Sequence, residues 1–126
     1  MEFVHNEKAP QAIGPYSQAV VAGGLVFCAG QTPIHPQTMK IEASGIEEQT
    51  RQVLANLNEV LSTVGLSLAD VVKTTVFLKN FADFPKMNGV YADGFGNHRP
   101  ARSTVEVSRL PMDALVEIEC IAAVKA

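Results

Sequence analysis

Arg102, Thr104 and Glu106 occupy alternate positions of one β-prone run, and Glu117, Glu119 and Ile121 alternate positions of the next, so each set shares a sheet face. The two runs extend from Ala101 to Arg109 and from Leu115 to Val124, and Leu110-Pro111-Met112-Asp113 between them reads as a turn. A hairpin centred on Pro111 and Met112 sets Thr104 opposite Glu119, with Arg102 on the diagonal at roughly 7–8 Å. A slip of one residue in register dissolves the arrangement. A cation, a hydroxyl and a carboxylate around one small volume suit the grip of an organic acid and the movement of a proton beside it. Strands and charges alone favour a plainer reading, a cross-strand ion pair on a wet sheet face, because most such pairs do nothing catalytic.

These strands need partners and a covering layer. Tyr16 to Val21 and Leu25 to Gln31 are short β-prone runs, and Ala22-Gly23-Gly24 between them signals a tight hairpin. Pro33 to Ile41, with two prolines, reads as a loop with a short strand. Ser44-Gly45-Ile46-Glu47 has the spacing of a capping box, so a helix is expected to start there. Val53, Leu54, Leu57, Val60, Leu61 and Val64 then stack one apolar stripe, and Gly65 supplies the stop. Val71 to Leu78 is β-branched and short, hence a strand, with Val72, Thr74, Val76 and Leu78 on one face. Asn80 caps a second helix with Asp83 three residues on, Pro85 in the first turn, and Phe84, Met87, Tyr91 and Phe95 as its stripe; Gly94 and Gly96 end it. The order predicts an α+β fold in one domain over residues 1–126: a two-layer sandwich of a mostly antiparallel sheet with two helices on one face. The other sheet face mixes polar and β-branched residues, which suits burial against identical subunits around polar clefts.

Composition removes several classes of function. Ten Lys and Arg against thirteen Asp and Glu leave a formal charge of −3, so neither nucleic acid nor an anionic membrane is an expected partner. No apolar run approaches the roughly 20 residues that span a bilayer, and MEFVHNEKAP carries acids and a proline where a signal peptide needs an apolar stretch; a cytoplasmic location is expected. Cys28 and Cys120 lie far apart without a CxxC pair and read as small core residues rather than a disulfide or metal framework. His5, His35 and His98 sit in predicted loops and read as solvated, with His98 the only one close in sequence to Arg102.

Four segments in this order, Ile13-Gly14-Pro15-Tyr16-Ser17-Gln18, Ala29-Gly30-Gln31-Thr32-Pro33, Pro100-Ala101-Arg102-Ser103-Thr104-Val105-Glu106-Val107, and Arg109-Leu110-Pro111 through Val116-Glu117-Ile118-Glu119, resemble the signatures of the Rid (YjgF) family. The resemblance covers essentially the whole chain, including VKTTVFLKNFADFPKMNGVY, and is nearest to the RidA-like reactive intermediate deaminases. It implies a chorismate-mutase-like fold and a homotrimer whose three sheets close into a barrel with helices outside and a cleft at each subunit boundary. It also implies hydrolysis of 2-imino acids, formed from enamines such as 2-aminoacrylate, to 2-keto acids and ammonia; 2-iminopropanoate and 2-iminobutanoate are the subgroup's substrates. Neither a metal nor an organic cofactor is implied, in keeping with a sequence that has no Gly-rich phosphate loop and no metal-ligand cluster.

Residue by residue, the resemblance makes Arg102 the carboxylate anchor, since a planar guanidinium offers two parallel hydrogen bonds that lysine does not. Glu119 becomes the group that orients water and moves protons to the departing amine, while Glu117 takes a structural or rim role. Tyr16 supplies a wall and a hydroxyl, Gly30 a close backbone approach, Asn88 a lining position on the second helix, and Thr104 a hydroxyl for substrate or water. Three features depart from the family pattern. Thr104 stands where many members have Cys, Ala29 where many have Ser, and Arg99 where an aromatic often stands, in a segment before Pro100 that is shorter than in some members. The competing readings are a protein that binds small carboxylates without turnover, an RNA-cleaving or translation-inhibiting protein, which the charge disfavours, and a chaperone-like holdase.

Overall fold

The computed structural model describes residues 1–125. Its strands are β1 (Glu2–Val4), β2 (Ala19–Ala22), β3 (Leu25–Gln31), β4 (Val71–Leu78), β5 (Ala101–Glu106) and β6 (Val116–Ala123), and its α-helices are α1 (Ile46–Ser62) and α2 (Phe84–Phe95). The strands form one sheet in the order β1-β2-β3-β6-β4-β5, antiparallel except for β4 and β5. The expected two-layer α+β architecture is present. The β2–β3 hairpin turns through Gly23 and Gly24, whose φ values of 59° and 77° fit the left-handed positions of a two-residue turn that matches strand twist. Tyr16 lies ahead of β2 rather than in it, and β1, which the sequence reading did not contain, adds an edge through Phe3 opposite Val20.

The last two strands do not form the expected hairpin. β5 pairs in parallel with β4, β6 pairs antiparallel with the other edge of β4, and β4 therefore separates them. Residue 107–115 passes over the end of β4, where Val107 N–H donates to Leu78 O (2.9 Å), Lys79 N–H donates to Leu115 O (3.0 Å), and Lys79 Nζ meets Asp113 Oδ1 at 2.6 Å. The backbone groups at the end of β4 are thus satisfied on both sides, which a direct β5–β6 pairing would forgo.

This topology explains why both helices share a face. β3 and β4 run parallel with β6 between them, α1 connects them, and α2 connects β4 to β5 in the same sense across the sheet. Right-handed crossovers that advance in one direction deposit their helices on one side. Val53, Leu54, Leu57, Val60 and Leu61 of α1 are buried as the stripe predicts, against Val26, Val76, Val116 and Ile118 of the sheet. The helices touch closely at Gly94, where a Cβ would stand 2.6 Å from Leu54 Cδ1, so Gly94 is a crossing residue inside α2 and Gly96 alone ends the helix.

Local expectations were corrected in three further places. Gly45 is the N-cap of α1 and no side chain caps it, so the Ser44 box does not form; a capping box occurs instead at Ser67 and Asp70, ahead of β4. Asn80 precedes a short 3-10 turn, Phe81–Asp83, and donates no cap to α2. A bulge between Val71 and Lys73 turns Val72 outward and gives its inward place to Val71.

The sheet face away from the helices is uncovered. Phe3, Val20, Phe27 and Ile121 follow one another across β1, β2, β3 and β6 on it, and Phe3 and Phe27 are 69% and 43% exposed. Glu117, Glu119, Thr75, Phe77, Ser103 and Val105 occupy the same face toward the other edge.

Candidate active site

Arg102 faces the helix layer. Its ladder partner is Thr74, which is fully buried and whose hydroxyl lies 2.7 Å from Tyr91 Oη on α2. The guanidinium carbon sits 4.8 Å from the Tyr91 ring centroid and 5.5 Å from that of Phe84, so two aromatic rings position a cation at the sheet edge. Burial raises the Tyr91 pKa, opposed by the Thr74 bond and by the charges of Arg102 and Arg99, and the phenol stays neutral at physiological pH. Among the described residues Arg102 makes no ion pair.

A cleft of about 470 Å³ opens beside this guanidinium, lined by Asn88, Tyr91, Ala92, Arg99, Pro100 and Arg102. Asn88 Oδ1 and Thr104 Oγ1 are buried and have no hydrogen-bond partner. Such orphans carry a desolvation cost that a ligand with matching groups relieves. The cleft therefore offers a free bidentate cation with an unused carbonyl-type acceptor, that of Asn88, in the same lining, a set that fits a carboxylate with a neighbouring N–H. Thr104 follows Arg102 by two on the same face of β5 and does not line the cleft.

The other expected site residues lie elsewhere. Glu119 is exposed opposite Thr75, and because Thr74 and Thr75 point to opposite sides of β4, Glu119 and Arg102 belong to opposite faces. Thr104 accordingly faces Val76 in the helix layer and does not face Glu119. Gly30 belongs with the open face: it sits in the irregular stretch of β3 next to β6, where a Cβ would overlap the Glu117 carboxylate. Burial and then the charge of Glu119 push the Glu117 carboxyl above its ordinary pKa. Tyr16 is 51% exposed on the loop before β2, its hydroxyl accepting from Ile13 N–H at 3.4 Å. The neighbouring Gln18 is the motif's structural member, buried and bonded through its amide to Asn6 and Pro10 carbonyls.

One chain thus brings Arg102 and Asn88 to one cleft, with Thr104 on the same face of β5 but outside the lining, and leaves Glu119, Gly30 and Tyr16 apart from them. Sequence reasoning missed Tyr91 and Phe84 as the platform under Arg102, having assigned both to the apolar stripe; their i, i+7 spacing on α2 above an arginine-bearing edge strand was the available signal. His98 is structural, with Nε2 at 2.5 Å from Val71 O. Cys28 and Cys120 are buried ladder partners, and the Cys28 thiol together with burial pushes the Cys120 thiol well above its ordinary pKa, so Cys120 does not supply a thiolate. Among the described residues no cluster of His, Cys, Asp or Glu could hold a metal ion, and no helix is long and apolar enough to cross a membrane.

Residues 6–124 match the family model described as endoribonuclease L-PSP. A RutC family protein of Pyrococcus horikoshii is 56% identical over 96% of this chain and 96% of its own length. Reactive Intermediate Deaminase A of Arabidopsis thaliana, a chloroplastic protein, is 49% identical over 96% of this chain and 65% of its own. The crystal structure of Escherichia coli TdcF with bound serine superposes with a TM-score of 0.91 at 40% identity, covering 98% of each chain.

Proposed function

This chain belongs to the endoribonuclease L-PSP family, the Rid family of reactive intermediate deaminases, and from that premise we propose that it hydrolyses 2-imino acids to 2-keto acids and ammonia at clefts shared between copies of itself. The observation that carries the proposal is the unpaired Arg102 guanidinium in a cleft that Asn88 also lines, its buried Oδ1 without a hydrogen-bond partner among the described residues. The serine held by TdcF is itself a 2-amino carboxylate, the same pairing of groups.

In this reading Arg102 holds the substrate carboxylate, and its stacking on Tyr91 fixes the guanidinium plane. Asn88 Oδ1 accepts from the imine N–H, and the Thr104 hydroxyl binds the substrate or its water. Glu119 comes from a neighbouring copy, whose open sheet face also carries Gly30. Its carboxylate takes a proton from water as the water oxygen bonds to C2 and passes it to the nitrogen, giving a carbinolamine; it then takes the proton of the C2 hydroxyl and passes that to the nitrogen too, so that the C2–N bond breaks, ammonia leaves and the C2 oxygen becomes the keto oxygen. The reaction consumes one water and needs no oxidant or reductant. A homotrimer accounts for the separation of the two residue sets and covers the apolar row Phe3, Val20, Phe27 and Ile121.

The test is release of ammonia and 2-keto acid when protein is added to imino acid generated in situ by an amino-acid oxidase. The wild type accelerates release and Arg102→Ala does not. A wild type that is stabilised by small carboxylates yet accelerates nothing would favour binding without turnover, which the serine in TdcF also fits. RNA cleavage finds less support here: the formal charge is −3, and the histidine nearest the cleft is tied to a backbone carbonyl.

A further inference from the structure

The Arg102 cleft holds a second guanidinium. Arg99 lines it together with Asn88 and Arg102, none of the residues that this chain contributes to the lining is a carboxylate, the one carboxylate of the proposed cleft being Glu119 of a neighbouring copy, and among the described residues neither arginine makes an ion pair. Two like charges on one concave wall repel each other unless an anion comes between or beside them.

Arg99 is held in place rather than waving in solvent. Its Nη1 donates to the Gly96 and His98 carbonyls at the end of α2, at 2.5 Å and 2.9 Å. The same segment is anchored by His98, whose N–H donates to Phe95 O at 3.1 Å and whose ring contacts the Val71 carbonyl. Pro100 follows and restricts Arg99 to extended backbone, pointing the chain into β5. The Nη2 and Nε donors remain uncommitted to any of these bonds, so the group keeps half of its donor fork for a ligand.

We propose that Arg99 is a specificity-determining residue that binds a second carboxylate, so that the substrates of this protein include 2-imino acids with an acidic side chain. The inference rests on the deaminase reading above and adds a substrate class to it. Arg102 takes the carboxylate next to the imine carbon, and Arg99 takes the one at the far end.

The experiment compares kcat/KM for 2-iminoglutarate or iminosuccinate with kcat/KM for 2-iminobutanoate, each imine generated in situ, in wild type, Arg99→Gln and Arg99→Lys. Glutamine removes the charge and lysine keeps it. The expected result is a diacid-to-monoacid ratio that falls by about tenfold or more in Arg99→Gln, as loss of a charge-assisted hydrogen bond implies, and is largely restored in Arg99→Lys. Turnover of 2-iminobutanoate by each variant reports that its cleft is folded. A wild type that hydrolyses 2-iminobutanoate but not the diacids, or a ratio unchanged in Arg99→Gln, overturns the inference and leaves the deaminase reading standing. Failure of the wild type on every imine overturns both.

Discussion

Replacing Arg102 by lysine keeps the charge but removes the fork and the flat surface that lies against Tyr91, so kcat/KM for imine hydrolysis is expected to fall at least about tenfold, with the fold retained by circular dichroism. An unchanged kcat/KM would mean that charge alone suffices. Glu117 gives a second prediction at this scale. Burial holds its carboxyl above 4.5, the folded state therefore binds a proton more readily than the unfolded one, and stability declines as pH rises through that raised value. Glu117→Gln is expected to raise Tm at pH 7 and to have a smaller effect at pH 4, where the carboxyl is mostly protonated in both states; an equal effect at both would remove the buried charge as the cause. Residue chemistry was legible in part. Arg102 and Asn88 line one cleft, Asn88 having been singled out by the family resemblance alone, and Thr104 and Glu119 are not the neighbours that alternation suggested; Tyr91 and Phe84 did not reveal themselves, because helical periodicity marks an aromatic as inward-facing without saying that an arginine lies across from it.

At the scale of elements, both helices and the strands from β2 onward were legible, since apolar period, turn glycines and β-branched runs are written locally. The pairing of β4 with β5 was not. A strand's own residues do not say which neighbour fills its edge, and two adjacent β-runs with a turn between them invite a hairpin that the crossover of residues 107–115 replaces. That single difference moved Glu119 away from Thr104 and changed the site from one face of one chain to two faces. β1, with three residues, was too short to stand out. Leu57 tests the packing account: it is fully buried between α1 and the sheet, and Leu57→Ala is expected to cost about 2–5 kcal/mol in denaturant unfolding. A loss well below about 1 kcal/mol would mean that the α1 stripe is not the core it is described to be.

At the scale of the whole molecule, the open sheet face carries both apolar area and the carboxylates that the Arg102 cleft lacks. Phe27→Asp places a charge in the middle of that face, opposite Ile121; for the proposed trimer the expected outcome is a sedimentation mass of three chains in the wild type and one in the variant, with turnover lost together with assembly. A trimer of Phe27→Asp with full activity would place the subunit contact elsewhere. The central claim is that each active cleft takes Arg102 from one copy and Glu119 from another. The measurement that reads this most directly is turnover by a mixture of Arg102→Ala and Glu119→Gln proteins, each inactive alone, unfolded together and reassembled. Random reassembly gives about one quarter of the clefts an intact Arg102 and an intact Glu119, so about a quarter of wild-type turnover should return. No return of activity in reassembled mixed oligomers would contradict the account.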